Sequence, residues 1–409
     1  MGGGFAGINL ILGLVKDKGY HITLVDRNNY NYFPPLVYQV ATSFLDPSSV
    51  CYPFRKLFRN ADLNFRLGEL LRVDPATKTC YLNDGELTYD YLVFANGSKS
   101  NFFGMENVQK HAIALKNIED ALRMRNRILK TMEDACQTTD PVERKKLLTV
   151  VVAGGGPTGV EVSGMLAEMK KYILAKDYPE LKGSPGEIYI VDGGANLLAP
   201  MSDKSHQHSY DALAKLGVNI KLHTQVRDYD GEIVTLSDGG IIESRSLIWA
   251  AGVTAVPIEG IPAASVGAGK RILVDEFNRV TGVDDIYAIG DICLQLTEPD
   301  YPRGHPQLAQ VAIQHGRNLA KNLLAMTKGK QLTPFKYFDK GEMAIIGRNK
   351  AVVDLFKHKT HISGFPALFI WLFIHLVSLV NYRNKLVTLY HWTGAYLSKD
   401  QSLRMIIRS

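Results

Sequence analysis

The sequence predicts an α/β chain of two parallel-sheet units followed by an apolar carboxyl-terminal region, and three observations carry that expectation. Two glycine turns of the form G-x-G-x-x-G each open a helix. Each helix is followed by an apolar strand ending in an aspartate. A run of aliphatic and aromatic residues then begins at Phe365. At 409 residues, 46% hydrophobic and 22% charged, the chain has room for roughly two to four domains and is neither a disordered nor a multi-span membrane composition. A formal charge of +6 is too weak a field for a nucleic-acid partner.

The first turn is Gly2-Gly3-Gly4-Phe5-Ala6-Gly7, in which Gly2, Gly4 and Gly7 fill the pattern. Residues 8–18 continue as an apolar-rich helix that Gly19 ends, and His21-Ile22-Thr23-Leu24-Val25-Asp26 reads as a buried strand. Asp26 lies 19 residues past Gly7, close to the spacing at which an acid bonds a ribose hydroxyl. Glycines let the backbone approach a pyrophosphate, whose charge is met by the amides of the helix N-terminus. No strand stands before these glycines, where a dinucleotide fold places a central one, so retention of the cofactor by this chain is an open expectation.

The second turn has its whole context. Leu147-Leu148-Thr149-Val150-Val151-Val152 reads as a strand, Gly154-Gly155-Gly156-Pro157-Thr158-Gly159 as the turn, and the residues to Lys170 as a helix. Glu187-Ile188-Tyr189-Ile190-Val191-Asp192 supplies the next strand and its acid, 33 residues past Gly159 because residues 178–186 insert a loop with Pro and Gly. An acid there, with no arginine before Arg227, favours the unphosphorylated ribose of NADH over NADPH. Two such units in one chain can hold a flavin and a nicotinamide, the minimum equipment for moving a hydride between them. Residues 89–97 and 247–252 read as short apolar strands ending in small-residue turns, and Asp284-Asp285-Ile286-Tyr287-Ala288-Ile289-Gly290-Asp291 delivers another acid, Asp291, suited to a ribityl or pyrophosphate.

These residues, with Asn28-Asn29-Tyr30, Leu36-Val37-Tyr38-Gln39-Val40-Ala41-Thr42, Ala309-Gln310-Val311-Ala312-Ile313-Gln314 and Asp339-Lys340-Gly341, resemble the two-dinucleotide-binding-domain flavoproteins. More narrowly, over essentially the whole chain, they resemble the type II NADH:quinone oxidoreductases. The resemblance implies two Rossmann-like dinucleotide-binding domains in a glutathione-reductase-like arrangement. An FAD domain (1–112 and 252–330) is interrupted by an NADH domain (113–251) and followed by a membrane-association region (331–409). Non-covalent FAD is implied at Gly2, Gly4, Phe5, Ala6, Gly7, Asp26, Arg27, Leu70, Asp291, Ala309, Gln310 and Lys340. The substrate NADH is implied at Gly154, Gly156, Pro157, Thr158, Gly159, Glu161, Asp192 and Gly252. Glu161, expected on the first helical turn, would lie between nicotinamide and flavin, although a carboxylate there also complements the helix dipole. Gln310 and Gln314, four apart and on one helix face, would hydrogen-bond the quinone carbonyls, and Lys340 would stabilise developing negative charge. Catalysis is thus expected from Glu161, Gln310, Gln314 and Lys340, with no metal.

Cysteines 51, 80, 136 and 293 form no close pair, which supports neither a disulfide framework nor a zinc site. Disulfide reductases of this architecture carry such a pair where this chain has Gln39-Val40-Ala41-Thr42, so the acceptor is not a dithiol. The apolar run 365–380 is shorter than the about 20 residues that span a bilayer, and His375 would be costly in hydrocarbon. With Arg383, Lys385, Tyr390, Trp392, Tyr396, Lys399, Arg404 and Arg408 it reads as a pair of amphipathic anchor helices on a lipid surface. The expected protein is a non-pumping respiratory NADH dehydrogenase passing two electrons to a membrane quinone (ubiquinone or menaquinone). It is expected to be a homodimer, peripheral on the cytoplasmic face of a cell inner membrane or an equivalent organelle membrane. A soluble NADH-dependent reductase of another redox protein, a sulfide:quinone oxidoreductase using Cys80 or Cys293, and a non-catalytic binding partner stand as alternatives.

Overall fold

The computed structural model describes residues 1–184, 186–356, 359–398 and 403–407, so Lys399 and Arg408 lie outside the described residues. Two compact units emerge. The first comprises Met1–Asn31, Tyr52–Lys99 and Val253–Asp339, the second Tyr32–Cys51, Ser100–Gly252 and Lys340–Ser409. The segments 32–51 and 100–112, and the described residues from Lys340 onward, thus pack with the second glycine turn.

In the first unit the helix Phe5–Leu14 is shorter than the expected 8–18 at its far end. Asp17 accepts from the Gly19 amide at 2.8 Å and turns the chain instead. This helix lies against Ala309–Met326, at a distance that only glycine permits: a Cβ at Gly316 would stand 2.3 Å from the Ala6 carbonyl oxygen. Ala6, Leu10, Leu14, Ala312, Leu319 and Leu323 fill the seam. Ile22–Asp26 pairs in parallel with Leu63–Leu67, and Leu92–Phe94 with Ile286–Ala288. Among the described residues no strand precedes the first glycines. Met1 and Gly2 take the bonds on that side: the Gly2 amide donates to Val25 O at 2.8 Å, the Met1 amino group donates to Val93 O, and the Ala95 amide donates to Met1 O, both also at 2.8 Å. An antiparallel sheet of Leu70–Asp74, Thr79–Leu82 and Gly85–Thr88 completes the unit's main features.

The second unit centres on a five-stranded parallel sheet in the order Ile113–Ala114, Ser246–Trp249, Val150–Ala153, Ile188–Val191, Val218–Lys221. Its middle strand is buried on both faces, hence its unbroken valines. The strand begins later than the apolar run suggests. Asp140 caps and Pro141 opens a helix, Pro141–Leu148, that absorbs Leu147 and Leu148. The turn helix runs Pro157–Met169 and continues through a π turn, Lys170–Leu174. An antiparallel sheet of Glu342–Gly347, Lys350–Leu355 and Thr360–Ser363 packs on it. A Cβ at Gly164 would meet the Ile346 carbonyl oxygen at 1.9 Å, so helix and strand touch backbone to backbone.

The carboxyl-terminal helices Phe365–Ser378 and Tyr382–Ser398 belong to this unit. Ala367, Leu368 and Trp371 face inward, while Phe365, Phe369, Phe373 and Val377 face out with half or more of their surface exposed. Asn384 and Thr388 fasten the last helix to the carbonyls of Cys51 and Ser49 at 2.9 and 3.3 Å. Among the described residues no helix is long and apolar enough to cross a membrane.

Candidate functional site

At the first glycine turn Gly2 has φ +103°, and a Cβ there would fall 2.4 Å from the Ala95 carbonyl oxygen. A Cβ at Gly7 would fall 2.0 Å from the oxygen of Gly2, whereas beside Gly4 there is open space. Gly4 caps the helix without a side-chain bond, and no acid occupies the first turn. Asp26 closes the turn from below, accepting from the amides of Gly3 and Asn28, both at 2.7 Å. Each carboxylate oxygen keeps a second lone-pair site for a ribose hydroxyl.

Asp291 follows the Ile286–Ala288 strand in a short 3-10 turn; its carboxylate accepts from Ser98 Oγ at 2.6 Å and its carbonyl from Gln307 at 2.9 Å. Ala309 and Gln310 open the next helix. Gln314 is half-buried with both ends of its amide engaged, Nε2 donating to Phe338 O at 2.9 Å and Oε1 accepting from Phe338 N at 3.0 Å. Arg27 is exposed. Leu70 starts a strand of the antiparallel sheet and packs on the Val73 and Phe94 core.

The second turn repeats the first. Gly154 has φ +112° with its Cβ position 2.4 Å from Ala250 O, the Cβ position of Gly159 lies 1.8 Å from Gly154 O, and Gly156 faces open space. Pro157 at the first helical position has no N–H to lose, leaving Thr158 and Gly159 as donors. Asp192 accepts from the amides of Gly155 and Gly194, both at 2.6 Å. The carbonyl of Gly252 accepts from the Asn101 amide at 3.0 Å. Lys340 is exposed, one residue before the Gly341 turn that enters the antiparallel sheet.

Glu161 lies one residue beyond the first turn of its helix, where the expectation had it on that turn, and it is 8% exposed. Gly164 one turn further lets the Glu342–Gly347 strand close over it, so the carboxylate receives the Ile345 amide at 3.4 Å. Burial raises its pKa well above the ordinary carboxylate value; the Ile345 amide and the nearby Trp371 indole oppose that only in part. Among the described residues the indole N–H itself makes no hydrogen bond of acceptable geometry. Tyr38, also buried, is pushed up by burial and by the Glu161 charge. His375 stacks on Trp371 with ring centroids 3.8 Å apart, and burial brings its pKa down to about 4. Sequence reasoning did not single out Trp371 or Gly164, since one hides in an apolar run and the other follows the fingerprint.

All four cysteines are free. Burial lifts the Cys293 thiol to about 12 and the Cys80 thiol to about 11, which keeps both protonated and poor at holding sulfur.

Residues 1–316 match the pyridine nucleotide-disulphide oxidoreductase family, and residues 340–399 match the NDH2 C-terminal domain. The chain is 33% identical to a type II NADH:quinone oxidoreductase of Mycobacterium tuberculosis, over 97% of its own length and 87% of the relative's. It is 30% identical to an internal alternative NAD(P)H-ubiquinone oxidoreductase of Solanum tuberosum mitochondria, over 96% and 84%. The structure of NDH2 from Plasmodium falciparum in complex with NADH superposes with a TM-score of 0.89 at 24% identity, covering 100% of this chain and 98% of that one. A sulfide:quinone oxidoreductase of Aquifex aeolicus gives 0.72 at 17%, covering 100% and 95%, a likeness of fold. The chain belongs to the pyridine nucleotide-disulphide oxidoreductase family, and within it to the type II NADH:quinone oxidoreductases.

Proposed function

We infer that the chain is a membrane-associated, FAD-dependent NADH:quinone oxidoreductase that moves electrons without pumping protons. Held at the first glycine turn, FAD would supply a hydride acceptor for NADH and a two-electron donor for the quinone. The observation that carries the reading is the pair of matching cradles, each an uncapped helix N-terminus over a glycine turn closed by an aspartate, in a chain of this family.

The residues divide the work. The amides of Phe5, Ala6 and Gly7 bind the FAD pyrophosphate, with Gly2 and Gly4 shaping the approach; Asp26 holds the ribose, and Asp291 orders the chain between ribose and ring. Arg27, Leu70, Ala309 and Gln310 line the same cofactor. Thr158 and Gly159, with Gly154, Gly156 and Pro157 shaping the turn, bind the pyrophosphate of NADH; Asp192 selects its unphosphorylated ribose, and Gly252 borders it. Gln310 directs its amide to a quinone carbonyl, Gln314 fastens the Phe338 segment, and Lys340 offers a cation to developing negative charge. Glu161, buried, holds its proton more tightly than an exposed carboxyl does. The division 1–112 with 252–330, 113–251 and 331–409 is retained as the division of these tasks. The outward phenylalanines of Phe365–Ser378 and the aromatic residues Tyr382, Tyr390 and Tyr396 support peripheral attachment to lipid; the reading places the chain, as a homodimer, on the cytoplasmic face of a cell inner membrane or on an equivalent organelle membrane.

The test is quinone-dependent NADH oxidation by FAD-loaded protein in lipid, with Gln314→Ala alongside. Turnover that falls about tenfold in the variant is expected. Bound FAD and NADH with no turnover on any quinone would sink the reading.

A further inference from the structure

Burying a donor without an acceptor is costly, so a fully buried orphan N–H calls for a reason. Trp371 is 0% exposed, and its indole Nε1, which can only donate, has no hydrogen-bond partner among the described residues. Its helix packs on the Glu342–Gly347 strand whose Ile345 amide reaches Glu161, which brings the indole close enough to favour the charged form of that carboxylate. The other polar groups around it already serve one another. Trp392 Nε1 donates to Gln39 Oε1 at 2.8 Å, and Gln39 Nε2 donates to the Tyr38 hydroxyl at 3.0 Å. The Trp371 ring is held by His375, stacked at 3.8 Å and 19°, and by Trp392, tilted at 5.8 Å. His375 Nδ1 donates to the Trp371 carbonyl at 2.8 Å, which ties this stack to one helical turn.

We propose that Trp371 is a positioning residue for Glu161: its indole N–H is held in reserve for the ionised carboxylate, and so sets how readily Glu161 releases its proton. The inference rests on reading Glu161 as an acid of the site. A protonated carboxyl offers its neighbours one hydroxyl and one carbonyl oxygen, whereas the carboxylate turns acceptor on both oxygens. At that moment the 3.4 Å bond from Ile345 is too weak to serve alone, and the waiting indole completes the shell. Titratable groups on the elements around Glu161 include Tyr38 on Val37–Ala41, Glu342 on the Ile345 strand and His375 on the Trp371 helix, with Glu168 two turns along its own helix; the strands Ile188–Val191 and Val218–Lys221 and the helix Asp203–Lys215, which pack on the same helix, add Tyr189, Lys221, Asp203, Lys204, His206, His208, Tyr210, Asp211 and Lys215. His375 is neutral at working pH, so it contributes shape and not charge.

The test uses the FAD-loaded full chain in lipid vesicles. Removing a donor to the ionised form raises the proton affinity of Glu161, so Trp371→Phe moves the alkaline limb of quinone reduction to higher pH, by about one pH unit. In a Glu161→Gln background the same change moves nothing. Because Trp371→Phe removes part of a packed core, a second measurement uses the unsubstituted sequence. The three tryptophan indole 15N–H resonances are assigned with Trp249→Phe and Trp392→Phe, and that of Trp371 is expected to shift downfield with the midpoint of the limb. A limb that survives Glu161→Gln overturns the reading of Glu161 itself. A limb abolished by Glu161→Gln but unmoved by Trp371→Phe, or a Trp371 resonance flat across the limb, overturns the Trp371 assignment alone.

Discussion

In the first glycine turn a side chain at position 7 would collide with the Gly2 oxygen, and in the second one at position 159 would collide with that of Gly154, each within about 0.2 Å of the other. Both acids accept two backbone amides. The sheets beneath differ. The second turn rises from the middle of five parallel strands, the first from between two separate parallel pairs whose facing edges are bridged by Met1 and Gly2. The helices differ too. Counting from each first glycine, Glu161 corresponds to Asn9, which donates to Phe5 O at 2.9 Å, accepts from Arg317 at 3.0 Å and is only half-buried. Turn geometry is therefore local, written in glycine spacing, whereas the chemistry a turn helix offers depends on what distant segment covers it.

Alanine at the two tight glycines should break the comparison most strongly. Gly7→Ala is expected to abolish flavin retention, read from the absorbance of the purified protein. Gly159→Ala should leave flavin content intact and raise KM for NADH about a hundredfold, the equivalent of about 3 kcal/mol of overpacking. Equal flavin loss in both would mean that the turns do not divide the cofactors.

Next in size is Glu161→Gln, expected to lower quinone turnover about a hundredfold, as loss of a general acid does. Stability should move the other way. A carboxyl whose folded pKa is raised binds more protons in the native than in the unfolded chain, so its ionisation costs stability once pH rises above the unfolded value of about 4.3. The variant should therefore melt higher than the parent at pH 8, with the gain shrinking toward pH 5. Asn9→Asp, its counterpart, should change turnover little.

A smaller effect is expected from Asp192→Ala: KM for NADH rises about tenfold and preference over NADPH narrows. The smallest is Cys293→Ser, expected to leave quinone turnover within about twofold, since its protonated thiol takes no part. Loss of activity there would revive a sulfur-handling role.

Much of this was legible in the residues. The glycine spacings and terminal acids place both cradles because phosphate recognition by a backbone leaves few alternatives. The strand at Val150–Ala153 was misjudged at its start, since Leu147 and Leu148 look like strand until Asp140 and Pro141 are seen to nucleate a helix. Gln314 was expected to offer its amide to a quinone carbonyl, whereas both ends of that amide engage the Phe338 backbone, whose place no local pattern gives. The surroundings of Glu161 were illegible for the same reason: Ile345 and Trp371 are about two hundred residues away, joined by packing and not by periodicity.

Gly164 has no functional group, yet it governs the dielectric that Glu161 feels. A methyl group at that point would press on the Ile346 oxygen and force helix and strand apart by roughly 1.5 Å, opening a seam that solvent could wet. Water beside the carboxyl would undo the burial that raises its pKa, and the proton would leave more readily. The width of one hydrogen atom in a helix thus decides whether a carboxyl group is an acid or merely a charge.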